Sequence, residues 1–139
     1  MYVFAVALSR NKLHEVIPVL NKQWSLSVEI KPAGTLAHWS NILHATIGGN
    51  WQAYGDQTPA IFFSPGTTKL YIGSAVNGEI SYAFTSADAS PLNEWTKVVI
   101  SQLPKSDGFH YTISVDGNVV HDVINTDPRE FTDVKVRSS

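Results

Sequence analysis

Apolar and polar residues alternate along much of this chain. Trp24–Lys31 is the clearest case, and Pro32-Ala33-Gly34 follows it. Alternation with a period of two indicates a half-buried β-strand, and the proline and glycine indicate the turn that ends it. Further strand candidates recur at short intervals: Ile42–Ile47, Ile61–Phe63, Lys69–Gly73, Ile80–Phe84, Trp95–Ser101, Tyr111–Val115, Val119–Val123 and Phe131–Val136.

Two dipeptides predict tight hairpins between these strands. Asn77-Gly78 and Asp116-Gly117 each separate two apolar segments. Two-residue hairpin turns need positive φ angles, which Asn, Asp and Gly adopt most readily. A polar linker, Pro104–Gly108, is expected to separate another pair of strands.

The N-terminal region is also predicted to be extended. Met1–Leu8 is apolar without a basic start, which favours a first strand, the alternatives being a signal-peptide remnant or an artificial junction. Asn11–Leu20 has some helical spacing, but Pro18 lies inside it, so an edge strand is the better interpretation.

About ten short strands predict an all-β fold, an antiparallel β-sandwich of two sheets. The chain has 139 residues, 43% hydrophobic and 16% charged. A chain of that length is expected to form a single domain, residues 1–139, and to bury roughly two-thirds of its unfolded surface.

Charge and composition exclude several classes of function. The formal net charge is -2, with no block of like charges, so nucleic acid is not an expected partner. No apolar run reaches the roughly 20 residues of a membrane span. The chain has no cysteine, which excludes disulfides, thiolate catalysis and Cys-based zinc sites. The five histidines lack metal-ligand spacing.

The segment Gly48–Pro59 is unusual for a loop because it holds two aromatic residues among amides and an acid. Sugar rings stack their C–H faces on aromatic rings and bind amides and carboxylates through their hydroxyls. This mixture predicts a ligand site made of Asn50, Trp51, Gln52, Tyr54, Asp56 and Gln57. Two structural alternatives stay open: Trp51 covers the sandwich edge as a lid, and Asp56 caps a turn.

Three segments, in order, resemble a concanavalin A-like, laminin-G-like jelly roll. They are Trp24–Gly34 (WSLSVEIKPAG), Leu92–Gln102 (LNEWTKVVISQ) and Tyr111–Val120 (YTISVDGNVV). The resemblance covers most of the chain and implies a jelly-roll sandwich with Trp24 and Trp95 in the core. It also implies carbohydrate recognition or adhesion, at rim loops or on the concave face.

A narrower resemblance is to cysteine-poor extracellular sandwich modules of aquatic invertebrates and other animals. The matching segments are WSNILHATIGGN, YGDQTPAIFF, SAVNG and NTDPREFTDVKV. It implies an extracellular location. These modules tend to carry Arg where this chain has Gln57, so specificity is expected to differ there. They also continue past the VKV strand, so the last strand of the usual sheet is expected to be missing, supplied by the N-terminal segment, or lost by truncation.

The resemblance also bears on catalysis and metals. Glucanases on this sandwich use a Glu-x-Asp-x-x-Glu run, which this chain lacks, so an enzyme is not expected. No cofactor is required by the sequence, but laminin-G-like domains often hold calcium. Asp56 and Asp88 are the loop acids placed for it, with Asp107 as a weaker third; turn capping is the alternative for each.

Two functional hypotheses follow. The first is a non-catalytic, lectin-like module that binds a glycan or glycoprotein through the Gly48–Pro59 loop. The second is an adhesion or self-assembly module that binds protein through a sheet face, or forms a homo-oligomer through an open sheet edge.

Overall fold

The computed structural model of the protein describes residues 2–5 and 12–138, with side chains from residue 13 onward, and it confirms the predicted all-β fold. Eleven strands and no helix occur in these residues. The strands are β1 (Tyr2–Ala5), β2 (Lys12–Leu20), β3 (Trp24–Ile30), β4 (Ser40–Thr46), β5 (Ala60–Phe63), β6 (Lys69–Val76), β7 (Glu79–Ala89), β8 (Thr96–Lys105), β9 (Gly108–Val115), β10 (Asn118–Asn125) and β11 (Phe131–Ser138). Among them there is accordingly no helix long and apolar enough to cross a membrane.

The strands form the two sheets of a jelly-roll sandwich. One sheet has the order β1-β3-β8-β9-β10, and the other has the order β2-β11-β4-β5-β6-β7. All pairs are antiparallel except β1 with β3, which run parallel. The N-terminal segment therefore supplies one edge of the five-stranded sheet. The rest of the predicted first strand, residues 6–8, lies outside the described residues.

Side-chain alternation fills the space between the sheets. Leu26 and Val28 of β3 and Ile100 of β8 are buried from one sheet, and Ile61 and Ile72 from the other. Each fully buried side chain of this size contributes about 1.5–3 kcal/mol through removal of apolar surface from water. Trp24, predicted to lie in the core, is buried there too.

Both predicted hairpin turns are confirmed. Asn77 and Gly78 have φ angles of 56° and 76°, and Asp116 and Gly117 have 49° and 84°. Two consecutive positive φ angles match the twist of the flanking strands, which explains why these dipeptides connect β6 to β7 and β9 to β10. The predicted polar linker is different. Pro104 and Lys105 continue β8 and pair with Phe109 and Gly108, so β8 and β9 form a third tight hairpin.

The prediction that Trp95 lies in the core is wrong. Trp95 is 59% exposed, and the strand begins only at the next residue, Thr96. Thr96 and Val98 take the inward positions, so alternation turns Trp95 to the outer face. There its ring lies 5.8 Å from the Lys31 ammonium, measured to the ring centroid.

The strand β2 confirms the predicted edge position of Asn11–Leu20, whose first residue is outside the described ones. Among the described residues it pairs only with β11, and Pro18 lacks the N–H that a continuing ladder would need. Leu13, Val16 and Val19 are nonetheless exposed along this edge.

Candidate functional site

The loop between β4 and β5, residues 47–59, is held in one shape by Asp56. The buried carboxylate of Asp56 accepts hydrogen bonds from the backbone N–H groups of Gly49 at 3.2 Å, Gln52 at 3.0 Å and Ala53 at 2.8 Å. Hydrogen bonds to a charged acceptor are among the stronger ones in proteins. Asp56 therefore organises the loop from within, which agrees with the turn-capping alternative.

The returning half of the loop is fixed to β4. The N–H of Thr58 donates to the carbonyl of Ala45, and the N–H of Ala45 donates to the carbonyl of Pro59, both at 2.9 Å. The Thr58–Pro59 peptide is cis. The ring Nε2–H of His44 donates to the carbonyl of Asp56 at 2.5 Å. Because this acceptor is a carbonyl, Nε2 carries the ring proton and Nδ1 is an acceptor; burial lowers the pKa of His44 and favours this neutral form.

Trp51 is 65% exposed, so the alternative that it covers the sandwich edge as a lid is wrong. It borders a groove of about 360 Å³ on the outer face of the six-stranded sheet. We call this the outer groove; its lining residues are Trp39, Asn41, His44, Asn50, Trp51, Gln57, Phe62 and Tyr71.

Strand register explains how distant residues meet in the outer groove. Asn41, Phe62 and Tyr71 lie opposite one another on β4, β5 and β6 and form one cross-strand row. Trp39, 51% exposed, stands edge-on to this row, with its ring centroid 4.9 Å from that of Tyr71 and 6.1 Å from that of Phe62. Edge-to-face contacts at these distances are favourable, so the row supports Trp39 in a defined orientation.

The neighbouring row supplies polar groups. His44, Ala60 and Gly73 lie opposite one another, and the Gln57 side chain occupies the space over Gly73, where a Cβ would overlap its Oε1. That Oε1 accepts a hydrogen bond from the Ser81 hydroxyl at 2.6 Å. The oxygen is thus committed to the protein, and the Gln57 amide nitrogen is left as a donor.

Asn41 adds an acceptor to the outer groove. Its Oδ1 is buried and has no hydrogen-bond partner among the described residues. A buried polar atom without a partner is costly and is usually satisfied by water or a ligand. With the Gln57 amide and the His44 Nδ1, the residues that line the outer groove therefore carry both donors and acceptors.

Half of the predicted site residues line this groove. Asn50, Trp51 and Gln57 are brought together there, whereas Gln52, Tyr54 and Asp56 are not among its lining residues. The Gln52 side chain is exposed elsewhere on the loop. Asp56 is buried, with its oxygens committed to backbone N–H groups.

Tyr54 turns away from Trp51 and packs on the chain before β11. Its hydroxyl donates to the carbonyl of Asp127 at 2.8 Å, and its ring centroid is 6.1 Å from that of Phe131. The Arg129 guanidinium lies 4.2 Å from the centroid of the Tyr54 ring and binds the Asp127 carboxylate through two hydrogen bonds of 3.0 Å and 2.7 Å. Arg129 is therefore the charge partner of Asp127 at the surface.

The two acids proposed for calcium are not brought together. Asp88 is exposed near the end of β7, beside the pairing of Ala89 with Lys69, whereas Asp56 precedes the opposite end of β5. Asp107 is engaged by His110 on the other sheet, at 2.7 Å from Nε2. No group of three or more potential ligands for a metal occurs within the described part of the chain.

Sequence reasoning missed Trp39, Asn41, His44, Phe62 and Tyr71 as site residues. The available signal was alternation: Phe62 lies between the core residues Ile61 and Phe63, so it must face outward. An outward aromatic on a central strand is a surface feature, and Tyr71 repeats it on the neighbouring strand.

Comparison with solved structures supports the jelly-roll fold. The chain is similar to the native heptameric SAP-like pentraxin from Limulus polyphemus, with a TM-score of 0.59 and 13% sequence identity. The match covers 90% of this chain and 54% of the pentraxin chain, so this chain spans about half of that structure's length. No protein-family model and no curated protein matches the sequence. At this identity the similarity establishes the jelly-roll architecture and nothing about a ligand.

Proposed function

We propose that this protein is a non-catalytic, lectin-like module that binds a glycan or glycoprotein in the outer groove. The observation that carries the proposal is the pair of exposed tryptophans, Trp39 and Trp51, which border one groove also lined by amide side chains. A single exposed aromatic side chain is ordinary on a protein surface, but two that border one concavity indicate a binding site.

The chemistry of the groove matches an uncharged sugar. A sugar ring has apolar C–H faces for the tryptophan rings and hydroxyl groups that both donate and accept hydrogen bonds. The Gln57 amide nitrogen is a donor, and Asn41 Oδ1 and the neutral His44 ring are acceptors. Among the described lining residues there is no lysine or arginine that would bind a sulfated glycan. There is also no acid among them, so they contain no carboxylate pair of the kind that glycosidases use.

Glycan-array binding followed by calorimetry tests the proposal with two matched variants. Trp51→Ala is expected to weaken glycan binding about tenfold, about 1.4 kcal/mol, because one stacking face is lost. Trp95→Ala is the control, since Trp95 is almost equally exposed but directly precedes β8 of the other sheet. Both variants are expected to retain stability within about 0.5 kcal/mol.

Three results would contradict the proposal. They are an array without any bound glycan, equal binding by wild type and Trp51→Ala, and equal weakening by Trp51→Ala and Trp95→Ala. A fall in the melting temperature of Trp51→Ala without any glycan response would show that Trp51 has a structural role.

The exposed apolar side chains of β2 favour a second candidate, self-association at the sheet edge. Val16 and Val19 present apolar surface on a strand that, within the described part of the chain, pairs with β11 alone. Edge strands of this kind are templates for pairing between chains. Light scattering across a concentration series tests this: association is expected to disappear in Val16→Lys, and a monomer at all concentrations would exclude it.

A further inference from the structure

A second concavity lies between the two sheets, on the opposite side of the six-stranded sheet from the outer groove. We call it the intersheet cleft. It has a volume of about 490 Å³ and opens where β7 and β10, the edge strands of the two sheets, face each other. Its apolar walls include Leu70 and Phe84 from one sheet and Val115 and Val120 from the other. We propose that the intersheet cleft binds a small organic cation with an apolar body, such as an arylalkyl amine.

An irregularity in β7 creates the opening. Lys69 pairs with Ala89 and Tyr71 pairs with Thr85, so the single residue Leu70 faces three residues of β7. The Ser86 hydroxyl stabilises this bulge, because it accepts from the Leu70 N–H at 2.9 Å and donates to the Asp88 carbonyl at 2.8 Å. Bulges bend an edge strand away from regular pairing. The cleft is thus a built feature of the sheet edge.

Thr96, which lines the cleft, has a buried hydroxyl without a partner among the described residues. Thr96 begins β8 in the inward phase that Val98 and Ile100 continue, and it lines the cleft. Its side chain is 2% exposed, and its Oγ1 has no hydrogen-bond partner in the part of the chain that is described. Burying an unsatisfied hydroxyl is unfavourable. A ligand with a polar hydrogen would satisfy it.

The charged residues that line the cleft favour a ligand of positive charge. Asp88 and Asp116 are its charged lining residues, and both are acids. The Asp88 carboxylate makes no hydrogen bond with the described residues. Asp116 uses Oδ1 to accept from the Lys97 N–H at 2.9 Å and keeps its second oxygen unengaged. An ammonium group at the mouth would lie near two carboxylates while its apolar body replaces water between Phe84 and Val115.

Three probes with the same apolar body and different head groups separate the contribution of charge from that of apolar contact. They are 4-phenylbutylamine, 4-phenylbutan-1-ol and 4-phenylbutanoate. Binding is followed by NMR titration of the backbone amides of the intact protein. The amine is expected to shift the amides of Thr96, Val115 and Val120 and to bind at least threefold more tightly than the alcohol, with the carboxylate weakest. No shift by millimolar amine, or shifts confined to the outer groove, would overturn the proposal.

Two substitutions assign the roles of the side chains. Asp88→Asn is expected to weaken the amine about threefold and leave the alcohol unchanged. Thr96→Val removes the unpartnered hydroxyl, so it is expected to raise the melting temperature and weaken the amine and the alcohol. If Thr96→Val stabilises the protein without any loss of binding, the Thr96 hydroxyl is only an unsatisfied polar group of the fold, and its proposed role in ligand binding is overturned.

If Thr96→Val does not fold, Asp88→Lys provides an independent test, because a substitution at an exposed residue is expected to leave the fold intact. It is expected to reverse the order of the amine and the carboxylate, and an unchanged order would overturn the charge argument. Trp51→Ala is the matched control for location. It is expected to leave all three affinities unchanged, which separates this site from the glycan proposal.

Discussion

The carboxylate of Asp56 lies against the Cα of Gly49, where any other residue would carry its Cβ. A Cβ at Gly49 would overlap all three atoms of that carboxyl group, and the Gly49 N–H donates to it. Gly49 and Asp56 are therefore one structural unit of this loop. The acid that the sequence suggested for a ligand serves instead as the internal partner of the loop.

Replacing Asp56 with Ala leaves the N–H groups of Gly49, Gln52 and Ala53 without their acceptor. We expect the free energy of unfolding to fall by about 3 kcal/mol, because three hydrogen bonds to one buried charged group are lost. Asp56→Asn keeps one acceptor oxygen and is expected to lose less. Denaturant unfolding with calcium and with a chelator checks both, and a calcium-dependent stabilisation abolished in Asp56→Asn would contradict the internal role.

His44 is expected to make the protein less stable in mild acid. Burial lowers its folded pKa below the ordinary 6.5, so the unfolded chain binds the proton more readily. The contribution is present above pH 6.5 and is lost as the pH falls from there through the folded pKa. His44→Gln keeps a donor for the Asp56 carbonyl without titrating, so it is expected to lose less stability between about pH 7.5 and 5.5. Parallel pH profiles of wild type and variant would show that His44 does not titrate.

His110 is expected to have the opposite effect on the pH dependence of stability, because it stabilises the protein in mild acid. Its ring bonds Asp107 at 2.7 Å and Asp122 at 2.9 Å, and the hydrogen bond to Asp107, then that to Asp122, raises the pKa of His110. Its contribution is therefore complete below pH 6.5 and is lost as the pH rises through the raised folded pKa. His110 lowers the pKa values of the two carboxylates, and their protonation in acid sets the lower end of the pH range in which these pairs stabilise the fold.

The measurement compares the melting temperatures of wild type and His110→Gln in mild acid and in mild alkali. The variant is expected to be the less stable protein in acid, with a smaller difference in alkali. Salt is expected to reduce the acid difference, since these side chains meet solvent. A difference that grows with pH would contradict the raised pKa.

The sequence predicted the strands and turns well because their signals are local. Asn77-Gly78 needs only its own backbone preference to form a hairpin. The prediction that Trp95 lies in the core failed because a shift of one residue along a strand moves a side chain to the opposite face. The motif did not fix the residue at which β8 begins. Asn41, Phe62 and Tyr71 meet only through the pairing of three strands, which a single sequence does not state.

Asn125 connects the two sheets and gives the last prediction. Its Nδ2 donates to Gln102 Oε1 at 2.7 Å, and its Oδ1 accepts from the N–H groups of Asn77 and Asp127, each at 2.9 Å. Asn125→Ala is expected to destabilise the protein by about 3 kcal/mol, because it leaves two partly buried N–H donors and the buried Gln102 acceptor unpaired. Asn118→Ala, at the exposed start of the same strand, is the control and is expected to stay within about 0.5 kcal/mol. Equal unfolding midpoints for the two variants would show that this network does not hold the sheets together.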